Sequence, residues 1–193
     1  MELLKSPRMH FYFGCFTEAA LLGVAAVVAF LFDYEIFRDL SWRTMDLLWG
    51  ILATVPMLAS FGWVLNSSGR FASDIRRFFE RVIRPMFGEW SIAQLAIISL
   101  LAGLCEEVLF RGALQGGLTA KIGAPGALVI SSVAFGLAHP VSRQYIMAAG
   151  LIGFFLGGLF IATGNLLAPI VAHALYDFCA LTWFLRLHRG DPR

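Results

Sequence analysis

Charge is what this sequence has least of. Only 15% of its 193 residues are charged and 59% are hydrophobic, whereas a soluble domain carries about 25% charged residues. A water-soluble globule is therefore excluded, and an integral membrane protein embedded in the lipid bilayer is expected. The net charge of +2 is too small for the broad basic field that nucleic acid selects, so no nucleic-acid partner is expected. Cysteine is scarce as well. Cys15, Cys105 and Cys179 are odd in number and fall in apolar segments, which excludes a disulfide framework or a CxxC metal pattern and makes them small apolar residues. Cys105 adjoins Glu106, but only Arg111 nearby would favour a thiolate, so thiol chemistry is not expected. There is no HExxH motif, internal repeat, low-complexity tract or second domain, and residues 1–193 read as a single membrane domain.

What is abundant is long apolar runs. About 20 mostly apolar residues suffice to cross the hydrocarbon core, and six stretches qualify: Tyr12 to Phe32, Met45 to Leu65, Ile92 to Leu118, Pro125 to His139, Tyr145 to Thr163 and Leu166 to Leu187. The fold class expected is all-α, a polytopic transmembrane helix bundle of about six spans. The fourth is short enough to be partly re-entrant. The first is preceded by Lys5 and Arg8, as a signal peptide would be, but it is too long for the apolar core of one and is read as a retained helix.

With the N-terminus inside, the inner segments hold eleven lysines and arginines, including Lys5, Arg76, Arg77, Arg189 and Arg193, against three outside, Arg38, Arg43 and Lys121. The positive-inside rule then puts both termini in the cytoplasm. Between the second and third spans, Phe71, Ile75, Phe78, Phe79 and Val82 fall on one helical face while the arginines lie mostly elsewhere. That pattern predicts an interfacial amphipathic helix resting on anionic lipid. In the fifth span Gly153 and Gly157 form a GxxxG, a close-packing signal inside the bundle or on a homo-oligomer face.

Against this apolar background, Glu106, Glu107 and Arg111 stand out. Ionisable groups at membrane depth cost several kcal/mol unless paired or facing a polar cavity. Two further stations, His139 and the His173–Asp177 pair, lie in other hydrophobic runs. Helical spacing lets Glu107 and Arg111 form an intrahelical ion pair while Glu106 points about 100° away. Glu106 is left without a local counter-charge, the setting a general base needs. Asp177 is one turn beyond His173 on the same face. Counted from the outer span ends at about 1.5 Å per residue, Glu106 lies roughly 18 Å deep, His139 roughly 21 Å and His173 roughly 10 Å. A meeting near mid-membrane follows if a hydrated cavity joins them. Taken singly, His139 also reads as a core histidine bonded to a carbonyl, and His173 with Asp177 as a local hydrogen-bonded pair.

EEVLFR (Glu106 to Arg111), FGLAH (Phe135 to His139) and HALYD (His173 to Asp177) match EExxxR, FxxxH and HxxxN/D in that order. In this the chain resembles the CPBP family of intramembrane proteases, the CAAX protease and bacteriocin-processing (ABI) group, over residues 90–187. The resemblance implies a membrane endopeptidase, a hydrolase acting on a membrane-anchored protein or peptide. It implies that Glu106 and His139 activate water and that His173 and Asp177 support the oxyanion, with Glu107 and Arg111 assisting. The short loops and about six spans suggest a compact prokaryotic member of such a family, set in the inner membrane.

Asparagine is common in that family where this chain has Asp177. An aspartate donates only when protonated; the other readings are that it orients His173 or ligates a cation, and we expect orientation. Glu106, His139, His173 and Asp177 would also be acceptable ligands for a divalent metal such as zinc, though a metal-free glutamate mechanism is the expectation. The alternatives to a protease are a proton-coupled transporter or relay and a non-catalytic immunity or scaffold protein.

Overall fold

The computed structural model describes residues 7–188, and no strand occurs among them. Lys5, Arg189 and Arg193, three of the charges used to orient the chain, lie outside the described residues. Five helical stretches are long and apolar enough to cross a membrane: Pro7–Phe32, Thr44–Asn66, Ile92–Leu137, Arg143–Thr163 and Leu167–Leu187. The third has 46 residues, which at about 1.5 Å each would be more than twice the roughly 30 Å hydrocarbon core. It does not run straight. Gly123, at φ 78° and ψ 160°, breaks it ahead of Pro125, a backbone state that glycine adopts at no steric cost. The chain turns back there, so the third and fourth expected spans are two arms of one hairpin.

We name the helices α1 (Pro7–Phe32), α2 (Thr44–Asn66), α3 (residues 70–87), α4 (residues 92–122), α5 (residues 124–137), α6 (Arg143–Thr163) and α7 (Leu167–Leu187). Local signals fix several ends. Ser91 and Gln94 form a capping box at the start of α4, with the Ser91 hydroxyl accepting from Gln94 N and Gln94 Oε1 accepting from Ser91 N. Ser142 caps α6 by accepting from Tyr145 N at 3.1 Å. These bonds satisfy backbone donors that a helix start leaves orphaned.

α7 packs between α2 and α4, α5 lies against α6 and α4, and α1 runs along α4. The α4–α7 crossing is close because Gly103 has no side chain: a Cβ there would lie 2.7 Å from both Ala174 N and Ala174 Cβ. The start of α7 is pinned by Asn165, whose side-chain amide donates to Ser41 O and Asp46 Oδ2, both at 2.7 Å, and whose carbonyl accepts from Leu167 N.

The expected amphipathic helix is α3, but its apolar face is turned to protein. Phe79 sits 5.1 Å from the rings of both Phe61 and Phe184, and Ile75 is buried. Arg76 donates to the carbonyls of Val64 and Ser67 at the end of α2, and Arg84, paired with Glu80, donates to those of Phe184 and His188 at the end of α7. α3 thus covers one end of the bundle. The cover is partial: Phe71, Phe78 and Phe79 are half-buried there, while Val82 of the same face is exposed.

Candidate active site

α4 carries most of the charge. From residue 108 to 116 it widens into π-helical turns, a local form that recurs at functional sites. Glu107 and Arg111 are 0% exposed and form the expected ion pair, Arg111 Nη1 donating to Glu107 Oε1 at 2.9 Å. Arg111 Nη2 donates to Gly153 O at 2.8 Å, its guanidinium lying 4.5 Å over the Phe135 ring. One turn further on, Gln115 donates to Gly157 O at 3.0 Å and accepts from Ser131. The GxxxG of α6 therefore receives buried polar side chains of the same chain, and its homo-oligomer reading loses its motive.

The three sequence motifs come together. His173, on α7, meets the Glu107 oxygen that already holds Arg111: Nδ1 to Oε1 is 2.8 Å. His173 Nε2 faces Asp177 Oδ2 at 3.6 Å, an ion-pair contact too long for a hydrogen bond. His173 therefore has two carboxylate neighbours, Glu107 on the adjacent helix at hydrogen-bonding distance and Asp177 on its own helix at ion-pair distance. His139, below α5, donates from Nδ1 to Phe135 O at 2.8 Å. In the neutral ring that leaves Nε2 as an acceptor, and it stands 3.8 Å from Glu106 Oε2. The core-histidine bond and the approach of His139 to Glu106 are therefore compatible, because each uses a different nitrogen.

These groups open on a cavity of about 500 Å³. Glu106, His139, His173 and Asp177 lie in its wall. The rest is mainly apolar, with Met57 and Phe61 from α2, Ile75 and Phe79 from α3, and Ile152 from α6. Glu106 Oε2 is buried and has no hydrogen-bonding partner among the described residues. A polar atom left so is costly unless water or a ligand reaches it.

The donor set proposed for zinc does not converge: among the described residues no three His, Cys, Asp or Glu side chains group closely enough to hold a metal ion. Each of these histidines keeps its Nε2 available, with Nδ1 held by Phe135 O or Glu107, so the misfit lies in the spacing of the side chains and not in their nitrogens. The residues as placed do not fit a metal, and no step below is routed through one.

Three residues near the centre escaped the sequence reading. Glu18 on α1 has a buried, unpartnered Oε2 and lies close enough for its charge to act on Asp177, His173 and Glu106. The rule that singled out Glu106, an ionisable residue inside an apolar span, applies to Glu18 equally. Tyr145 and Tyr176 line the cavity; a tyrosine in a membrane span has no distinguishing sequence signal.

Residues 88–179 match the family described as type II CAAX prenyl endopeptidase Rce1-like. The chain is 31% identical over 167 residues to the "Uncharacterized protein YpbD" of Bacillus subtilis (strain 168), covering 81% of each chain. It is 27% identical over 134 residues to the "Putative membrane peptidase YdiL" of the same organism, covering 69% of this chain and 54% of that one. No solved structure matches.

Proposed function

The chain belongs to the Rce1-like type II CAAX prenyl endopeptidase family, and from that premise we propose that it is an intramembrane endopeptidase of glutamate type, cutting a peptide bond of a membrane-anchored protein or peptide. The observation that carries this reading is the Glu106–His139 pair. A buried carboxylate oxygen without a partner stands 3.8 Å from an imidazole nitrogen, at the wall of a cavity. Both atoms are acceptors, and a separation beyond hydrogen-bonding range invites a bridging water. A water donating one hydrogen to each keeps a lone pair turned to the cavity.

The chemistry then runs through the chain's own groups. As the water oxygen bonds to the scissile carbonyl carbon, one of its protons passes to Glu106 and the carbonyl electrons move onto oxygen. Glu106 returns that proton to the leaving nitrogen as the C–N bond breaks. His139, fixed by its bond to Phe135 O, holds the water. His173, held by Glu107 and Arg111, presents Nε2 and Asp177 to the substrate side, and its imidazolium form would donate to the oxyanion. The apolar walls suit a substrate that arrives through lipid, and the excess of basic residues at the α3 end supports a cytoplasmic orientation of that end.

Membership in a peptidase family weighs against the transporter alternative. The non-catalytic alternative is settled by experiment. Membranes of cells carrying the wild type or Glu106→Gln are compared by mapping new protein termini. Membrane-anchored proteins should accumulate uncleaved with Glu106→Gln; wild-type processing by a well-folded Glu106→Gln protein would defeat the proposal.

A further inference from the structure

An oxyanion needs a hydrogen-bond donor aimed at it, and most donors of this centre are already engaged. His139 Nδ1 is bonded to Phe135 O and His173 Nδ1 to Glu107, which leaves His173 Nε2 as a donor only in the imidazolium form. The Nη groups of Arg111 are turned to Glu107 and Gly153 O. The Ser60 hydroxyl is bonded to Met57 O. Ionised, Glu106 and Asp177 only accept. Among the cavity-lining side chains, the Ser99 hydroxyl is buried without a partner in the described residues, and Tyr145 and Tyr176 bring two further hydroxyls to the wall.

Resting on the peptidase reading above, we propose that Tyr145 is a further catalytic residue, its phenol donating a hydrogen bond to the scissile carbonyl oxygen as that oxygen becomes an oxyanion. Its placement favours it over the other two. Tyr145 stands in the first turn of α6, its backbone N–H held by the Ser142 cap. Its ring is set between Phe78, at 4.6 Å, and His139, at 6.1 Å between ring centres. It is thus beside the histidine that holds the water, and close enough to Asp177 and Glu106 for both charges to act on it. Tyr176 lies near Asp177 and Tyr145 and rests edge-on against Phe61. Ser99 is two helical turns from Glu106, roughly 10 Å along α4. Tyr145 is half-buried in the cavity wall, where the reacting carbonyl can supply an acceptor for its O–H. No proton leaves the tyrosine: the water proton still travels through Glu106 to the leaving nitrogen, and the phenol stabilises charge only.

The test uses the full chain in nanodiscs with a pool of lipid-anchored, quenched-fluorescence peptides, comparing wild type, Glu106→Gln, Tyr145→Phe and Tyr176→Phe. Removing one oxyanion donor should lower kcat about a hundredfold in Tyr145→Phe with KM and melting temperature unchanged, while Tyr176→Phe turns over as wild type. Tyr145→Phe with wild-type kcat, or with a defect confined to KM, overturns the proposal. If Tyr145→Phe folds poorly, 3-fluorotyrosine at residue 145 keeps the ring and sharpens the donor; kcat should rise, and an unchanged kcat overturns the idea. Wild type and Glu106→Gln behaving alike would instead remove the peptidase reading itself.

Discussion

Glu107 Oε1 meets His173 Nδ1 at 2.8 Å across the α4–α7 crossing, and the same oxygen accepts from Arg111 at 2.9 Å. One carboxylate atom thus fixes an imidazole on one helix and neutralises a guanidinium on its own. Removing that carboxylate should cost more than removing its neighbour. Glu107→Ala leaves Arg111 buried and uncompensated, a loss of about 3–5 kcal/mol, whereas Glu106→Gln keeps its shape and strands no cation. Thermal unfolding in detergent should show a lowered midpoint for the first and a wild-type midpoint for the second, although both lose activity. Equal midpoints would refute the division of roles.

Because His173 is positioned by Glu107, with Asp177 only at 3.6 Å, Asp177→Asn should retain most of the wild-type kcat in the nanodisc assay. His173→Ala should lose it. An Asp177→Asn enzyme as inactive as His173→Ala would restore the aspartate as the orienting group.

The carboxylate and imidazole groups do not close around a metal-sized point, so activity should survive dialysis against EDTA followed by 1,10-phenanthroline. Activity lost to chelation and recovered with zinc would call for a rearranged donor set and a different mechanism.

The glycines of α6 offer a test of packing with its own control. A Cβ at Gly157 would fall 2.6 Å from both Gln115 Oε1 and Leu128 Cδ1, while one at Gly158 meets nothing within 4 Å. Gly157→Leu should destabilise by about 1–3 kcal/mol through overpacking, and Gly158→Leu should melt as wild type. Loss of a dimer band with an unchanged melting point would instead return the glycine pair to an intermolecular face.

The spans and the three motifs were legible because apolar runs and isolated ionisable residues are local signals. The depth of His173 was not. Counting from outer span ends assumes that all helices begin at one level, and here they do not. The space a Gly112 side chain would take is bounded by Ile36 O and Leu166, so α7 begins level with Gly112, while α4 continues ten residues beyond to residue 122. Measured from that shared level, Glu107 and His173 are both about 8–10 Å down, and they touch. The turn between the third and fourth spans was legible too, since the apolar runs part between Leu118 and Pro125 around Lys121, and the break falls there, at Gly123. The α3 face was read correctly as apolar, but nothing in its own residues says that Phe61 and Phe184 would cover it.

The family match begins at residue 88, yet Met57, Phe61, Ile75 and Phe79 in the cavity wall come from the part of the chain that precedes it. Part of the cavity lining is therefore encoded outside the stretch that carries the three motifs. Grafting residues 44–87 from a relative onto this chain should exchange which polypeptides are trimmed while leaving the cutting apparatus untouched, so that selectivity in this architecture can drift without the chemistry being rebuilt.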